Sequence, residues 1–229
     1  MLYFIIGTML IAIGFSIIRT GDNPFMTVAT KTLASMGFVT FAIFASIIAG
    51  TKFTASNACL ILGTVWGLIG DIVLDVYYSI NNKNCLIMGF ISFGIGHIFY
   101  VLSIVSIMSS FNSPLALSNY LYAILLAAII TATMYFVCKI LKLKTENVVV
   151  VTNIYTFMLC FTVVLSWITT ILNTATLPFS IGLTLFLLSD LVLSHIYFGS
   201  KRKSNVFQII NHMLYYVAQL LIVCTLFRI

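Results

Sequence analysis

The sequence predicts an all-α, polytopic membrane helix bundle of about eight transmembrane helices, a single integral membrane domain over residues 1–229. Three observations predict it. The chain is 62% hydrophobic and 7% charged, whereas an average soluble domain carries about 25% charged residues. Its mean hydropathy is +1.17. Apolar runs close to the ~20 residues that a bilayer requires recur along the whole length, separated by short polar segments. A β-barrel is excluded by the same runs, which are too long for barrel strands and lack their apolar/polar alternation. A helix satisfies its own backbone hydrogen bonds, as lipid demands.

The spans fall at approximately 2–18, 33–50, 57–78, 85–108, 119–141, 147–172, 178–199 and 206–227. The first is the shortest. It has no basic segment before it, and Arg19 follows it, so it reads as a true helix and not as a cleaved leader. The polar segment RTGDNP ends it, and the second span opens with Lys31 at its border. The third lies between GTKFTAS and INNKN and carries Asp71 and Asp75. The fourth contains Gly94 and Gly96, whose missing side chains allow a neighbouring helix to approach closely, and it stops at SFNSP. The fifth stops at KLKTE, the sixth runs to NTATLP, the seventh opens beside Pro178, and the eighth follows SKRKSN. Cys59, Cys85, Cys138, Cys160 and Cys224 are scattered without a CxxC pair and read as small packing residues.

The net charge is +6. In a membrane protein the positive-inside rule accounts for it, with no need for a nucleic-acid partner. With eight spans and the N-terminus outside, one side holds Arg19, Lys31, Lys83, Lys139, Lys142, Lys144, Lys201, Arg202 and Lys203, and the other only Lys52 and Arg228. The first set marks the cytoplasmic side, and the expected location is the cell membrane.

Three of the five acidic residues, Asp71, Asp75 and Asp190, lie inside apolar spans. A charged side chain at mid-bilayer costs about 2.5–3.5 kcal/mol on insertion scales, so such residues mark a functional site by default. At about 1.5 Å rise per residue, Asp71 lies roughly 21 Å from the outer edge and Asp75 roughly 27 Å. His97 comes in roughly 18 Å from the inner edge, and Asp190 lies about 12 Å from it. Asn211 and His212 enter at shallow depth, followed by Tyr215, Tyr216 and Gln219. These groups share the inner half of the bilayer. Asp71/Asp75 and Asp190/Ser194 are i, i+4 pairs, and His97/Tyr100 and Tyr216/Gln219 are i, i+3 pairs, so each pair presents two polar groups on one face. Singly, each has an ordinary reading: Asp71 as a buried residue paired with Lys31 or a tyrosine for packing, Asp190 as a structural residue, Asp75 solvated among headgroups, Tyr100 and Tyr216 as interfacial tyrosines, His97 as a packed interhelical residue, Lys31, Ser189 and Asn211 as helix-terminal or packing residues, and His195 and His212 as interfacial. Together they mark an intramembrane polar site.

Four segments then resemble, in order and spacing, the YhhN family of multi-pass membrane proteins, whose characterised members are lysoplasmalogenases. They are Gly70-Asp71-Ile72-Val73-Leu74, the stretch from Gly89 to Tyr100 (GFISFGIGHIFY), Leu188-Ser189-Asp190, and the stretch from Tyr215 to Ile222 (YYVAQLLI). The family's Lys-Pro pair at the opening of the second span is Lys31-Thr32 here, and Asp75 lies outside the family pattern, so it ranks below Asp71.

The resemblance implies hydrolysis of the vinyl ether bond of a lysophospholipid, releasing a fatty aldehyde and a glycerophospho-base. A vinyl ether resists base and yields to acid: protonation of its β-carbon gives an oxocarbenium ion that water traps. Paired carboxylates in a low-dielectric site can divide acid and base roles, and histidine can relay protons. Asp71 and Asp190 are therefore the expected acid/base pair, with His97 assisting. Tyr100, Ser189, Tyr216 and Gln219 are expected to orient substrate or water, and Lys31 to meet the lipid phosphate. No cofactor and no metal is expected. The lipid bilayer and the lysophospholipid are the expected partners, with oligomeric state left open. The competing class is a proton-coupled transporter or channel using the same Asp/His cluster, although the two similar halves and broken helices of many transporters are not evident.

Overall fold

Seven helices, each long and apolar enough to cross a bilayer, make up most of the described chain. The computed structural model describes residues 24–48, 53–80, 82–145, 148–199 and 204–228, together with Gly7 and Gly14. The predicted first span, 2–18, therefore lies outside the described residues except for those two glycines. The helices are α1 (Pro24–Ile48), α2 (Ala55–Ile80), α3 (Lys83–Ser110), α4 (Leu117–Ile140), α5 (Val149–Leu172), α6 (Leu177–Tyr197) and α7 (Asn205–Cys224). They correspond in order to the second to eighth predicted spans.

Local chemistry sets their ends. The Asn82 side chain accepts from the Asn84 N–H at 3.0 Å and caps α3. The Asn173 side chain accepts from the Ala175 N–H at 2.9 Å, holding the 3-10 turn Thr174–Thr176 that leads into α6, where Pro178 sits in the first turn. One boundary corrects the sequence expectation. The second span was expected to open at Lys31, but α1 begins at Pro24, so Lys31 lies two turns inside the helix. A lysine was read as a border because a bare ammonium is costly in hydrocarbon; here carboxylates from α2 neutralise it.

The packing order closes the bundle. α1 packs on α2, α2 on α3, α3 on α5, α5 on α6, α6 on α7, and α7 returns to α1. Six helices thus form a ring, and α4 stands outside it with α5 as its principal neighbour. On α4 only Ala123 and Ala127 are buried, a small-residue stripe that permits close helix approach. Large apolar side chains such as Ile47, Leu121, Ile140 and Ile171 face outward, as a lipid-facing surface requires.

The α2–α3 contact is the closest in the ring and depends on absent side chains. A Cβ on Gly63 would lie 2.3 Å from the Tyr100 ring, and one on Gly96 would lie 3.2 Å from the Gly63 carbonyl oxygen. Gly94, expected to serve the same purpose, has nothing within 4 Å of its would-be Cβ. Residues two apart on a helix point to different faces, so only one of these glycines can meet α2.

Contacts also identify the two ends. Lys31 near the start of α1 reaches Asp75 on α2. Gln208 at the start of α7 donates to the Tyr78 hydroxyl near the end of α2 at 3.0 Å. The Lys144 N–H donates to the Phe198 carbonyl at 2.9 Å, joining the α4–α5 connection to the end of α6. Lys31, Lys83, Lys139, Lys142 and Lys144 therefore share one end, and Arg228 lies at the other. Arg19, Lys52, Lys201, Arg202 and Lys203 lie outside the described residues.

Candidate functional site

Inside the ring, toward its basic end, a polar cluster is assembled from α1, α2 and α7. The Lys31 ammonium lies 3.4 Å from Asp71 Oδ1 and 3.5 Å from Asp75 Oδ1, and all three residues are buried. The i, i+4 spacing of the two aspartates turns both toward one cation. Asp71 Oδ2 accepts from the Ser35 hydroxyl at 2.6 Å, and Ser35 lies 3.3 Å from the Tyr216 hydroxyl. The Tyr215 hydroxyl lies within electrostatic reach of Asp71. From there the network climbs: Gln219 Nε2 donates to the Tyr215 hydroxyl at 3.3 Å, and Tyr100 donates to Gln219 Oε1 at 2.8 Å. Gly67 makes room for it, since a Cβ there would sit 3.2 Å from Gln219 Nε2.

This placement revises two expectations. Asp75 is fully buried and ion-paired, not solvated among headgroups. Lys31 lies inside its helix, not at a membrane border, and it pairs with Asp75 as well as with Asp71, the partner the sequence allows for it. Two buried acids and one buried base are compatible with hydrocarbon only because they neutralise one another.

Beside this network lies an aromatic layer. Phe93, Phe186 and Tyr215 meet edge to face, with centroids 5.3–6.2 Å apart. His97 joins the layer, 5.1 Å from Phe186 and 6.0 Å from Tyr155 between ring centroids. Its side chain is buried, yet neither ring nitrogen has a hydrogen-bond partner among the described residues. Buried polar atoms are nearly always paired, so the His97 ring nitrogens are an exception among the described residues.

Asp190 occupies a different station. Its Oδ2 accepts a short hydrogen bond from the Tyr155 hydroxyl, and its Oδ1 lies 3.4 Å from the Ser189 hydroxyl. Ser189 also donates to the Phe186 carbonyl at 2.8 Å, and Asn211 of α7 donates to the Ser189 carbonyl at 2.7 Å, fixing this turn of α6. Asp190 is half-buried because it faces a chamber of about 360 Å³ bounded chiefly by α4, α5 and α6. The wall is apolar for the most part, with Phe90, Met134, Leu159, Leu187 and Leu191, and Asp190 and Tyr155 are set into it. Asp190 lies within electrostatic reach of both Asp71 and Lys31. Its hydrogen bonds nevertheless run to Tyr155 and Ser189, while Asp71 accepts from Ser35.

The model of the YhhN family matches residues 26–226. The chain belongs to the YhhN family. Among curated proteins and solved structures, none matches it. It is a multi-pass membrane protein, all-helical across its described residues.

In this YhhN-family chain the four segments singled out in the sequence carry much of the site: Asp71 from α2, His97 and Tyr100 from α3, Ser189 and Asp190 from α6, and Tyr215, Tyr216 and Gln219 from α7. The structure brings Lys31, Asp71, Tyr100, Tyr216 and Gln219 into one network and sets Asp190 with Ser189 at the chamber wall. Tyr155, Ser35 and Tyr215 also contribute, and they lie outside the expected site residues. Tyr155 was legible from depth, since eight residues into the sixth span puts it about 12 Å from the inner edge, level with Asp190. Ser35 was legible as the i+4 neighbour of Lys31. Tyr215 was noted for its depth but left outside the expected site, because nothing in the sequence ties its hydroxyl to Asp71. Among the described residues no three His, Cys, Asp or Glu side chains are grouped so as to share a metal ion.

Proposed function

We propose that this YhhN-family protein is a membrane hydrolase that cleaves the vinyl ether bond of a lysoplasmalogen. The observation that carries this reading is the Asp190–Tyr155 pair set in the wall of an otherwise apolar chamber, where a single hydrocarbon chain can lie beside a carboxyl group. Vinyl ether cleavage needs an acid at carbon, delivered away from bulk water.

In this mechanism Asp190 gives its proton to the β-carbon of the vinyl ether, and the carbon–carbon π pair forms the new C–H bond. The resulting oxocarbenium ion faces the carboxylate just formed. Water adds to the cationic carbon and returns a proton to Asp190. The hemiacetal hydroxyl then loses a proton as the ether oxygen gains one, with the Asp190–Tyr155 pair as the exchanger, and the carbon–oxygen bond breaks to aldehyde and glycerol hydroxyl. One water is consumed and Asp190 is regenerated. Asp71 has one oxygen against the Lys31 ammonium and the other on the Ser35 hydroxyl, so neither faces the chamber directly as those of Asp190 do. It acts through space on the cation and as a positioning residue for Tyr215 and Gln219. His97, unpaired and packed on Tyr155, is the candidate to hold the attacking water.

The test measures aldehyde released from a lysoplasmalogen by the purified full chain in detergent. Asp190→Asn is expected to lower kcat by about 100-fold or more, with Asp71→Asn lowering it less. Full turnover by Asp190→Asn overturns the assignment. Turnover without a sealed compartment also separates a hydrolase from the transporter reading, since transport requires a gradient.

A further inference from the structure

With Lys31 enclosed by carboxylates, the lipid phosphate requires another partner, and the chamber has one at its mouth. A second cavity of about 610 Å³ is lined by Tyr135, Cys138, Leu143, Thr145 and Val149, all of which also line the chamber, together with Lys139, Lys142 and Lys144. The two spaces thus adjoin across shared side chains: an apolar chamber beside three lysines at the basic end.

The backbone positions of these lysines are set by local contacts. Lys139 lies 4.7 Å over the Tyr135 ring. The Lys144 N–H is bonded to the Phe198 carbonyl at 2.9 Å, tying the mouth to the end of α6 eight residues beyond Asp190. Lys142 sits at φ 54°, in the left-handed region. It is the residue just past the end of α4, where the Leu143 N–H reaches the Cys138 carbonyl and the Lys142 N–H reaches the Lys139 carbonyl, a Schellman turn. Glycine or asparagine is the low-cost occupant there. At the matching turn after α3 the chain uses Asn112, at φ 52°. Lysine at the α4 turn costs backbone energy, and it places a cationic side chain at the chamber mouth.

Resting on the hydrolase reading, we propose that Lys139, Lys142 and Lys144 form the phosphate-binding mouth of the chamber. The occupant is a single-chain phospholipid with its chain between α4, α5 and α6. From Val149 at the mouth to Tyr155 is six residues of helix, about 9 Å of rise, a span that the extended stretch from a phosphate oxygen through the glycerol to the vinyl β-carbon is suited to bridge. The peripheral position of α4 supplies the way in from the bilayer.

The experiment uses the full chain in uncharged detergent and equilibrium dialysis with three probes: a saturated 1-O-alkyl-glycerophosphoethanolamine, the matching 1-O-alkylglycerol without phosphate, and inorganic phosphate. The saturated ether has no vinyl bond to cleave, so binding is read independently of turnover. Replacing all three lysines by glutamine is expected to weaken the phospholipid probe about tenfold or more and to leave the alkylglycerol unchanged. Lys142→Gly, which relieves the turn while removing the charge, reproduces part of the loss in a chain that folds at least as well. Lys83→Gln, at the same end but outside the mouth, changes nothing. Equal weakening of both lipids, no weakening of either, the same loss from Lys83→Gln, or inorganic phosphate binding as tightly as the lipid would each overturn the proposal. Lysine-dependent binding with no aldehyde release from a vinyl ether lipid would sink the hydrolase and leave the mouth standing. Turnover whose KM ignores all three lysines would do the reverse.

Discussion

At Lys31 an ammonium meets carboxylates at 3.4 and 3.5 Å in a buried setting, so the energetics follow from which partner is removed. Lys31→Met takes away the ammonium that Asp71 and Asp75 share, and the expected loss is about 3–5 kcal/mol, read as lowered thermal stability in detergent. Adding Asp71→Asn and Asp75→Asn to that variant removes the stranded charges and should recover much of the loss. No recovery would mean that Lys31 stabilises through its packed stem alone. His97 calls for the opposite expectation. Neither of its ring nitrogens has a partner among the described residues, so His97→Leu gives up no intramolecular hydrogen bond. Its stability should stay within about 1 kcal/mol of the parent, while aldehyde release falls by about tenfold or more. A large stability loss with turnover preserved would make His97 a packing residue. The depths of Asp71, His97 and Asp190 were legible because an ionisable group in an apolar run stands out whatever surrounds it. Their partners were less so. Ser35, Tyr155 and Tyr215 are residue types common in membrane helices, and only the ring order of the bundle decides which hydroxyl reaches which carboxylate.

At the scale of helices, the α2–α3 and α6–α7 contacts are set by glycines that touch backbone or rings. A Cβ on Gly182 would lie 2.8 Å from the Ala218 carbonyl oxygen, which cannot swing aside as a side chain can. Gly182→Ala should therefore destabilise by about 1–3 kcal/mol. Gly94→Ala meets open space and should be neutral or slightly stabilising, because alanine is the better helix former. Comparing the two melting temperatures checks both. Equal losses would mean that α6 and α7 can shift apart and that the fit at Gly182 is not tight. Helix positions were largely legible from apolar run length. The α1 start was not, because the sequence shows Lys31 as a charge and only the assembled bundle shows that Asp71 and Asp75 neutralise it. Gly94 and Gly96 look alike in sequence for a similar reason: which of two faces meets α2 is a property of the pair of helices.

For the whole molecule, the described lysines gather at one end of the bundle, and the positive-inside rule predicts that this end is cytoplasmic. The chamber, its mouth and Asp190 then face the inner leaflet, and a lipid substrate must be taken from that side. This sidedness can be measured with single cysteines in a chain whose own five are replaced. Ser113→Cys, exposed in the α3–α4 connection at the far end, should react with a membrane-impermeant maleimide on intact cells. Lys83→Cys, exposed at the basic end, should react only after permeabilisation. In the otherwise native chain, a bulky maleimide on Cys138, which lines both the chamber and its mouth, should stop aldehyde release, and prior incubation with the saturated ether lipid should protect it. Cys138→Ala should keep turnover and lose the sensitivity, because the thiol itself takes no part in the chemistry. Labelling of Lys83→Cys from outside would invert the bundle and place the chamber in the outer leaflet. Inhibition that persists in Cys138→Ala would place the reactive group elsewhere and remove the chamber as the route to Asp190.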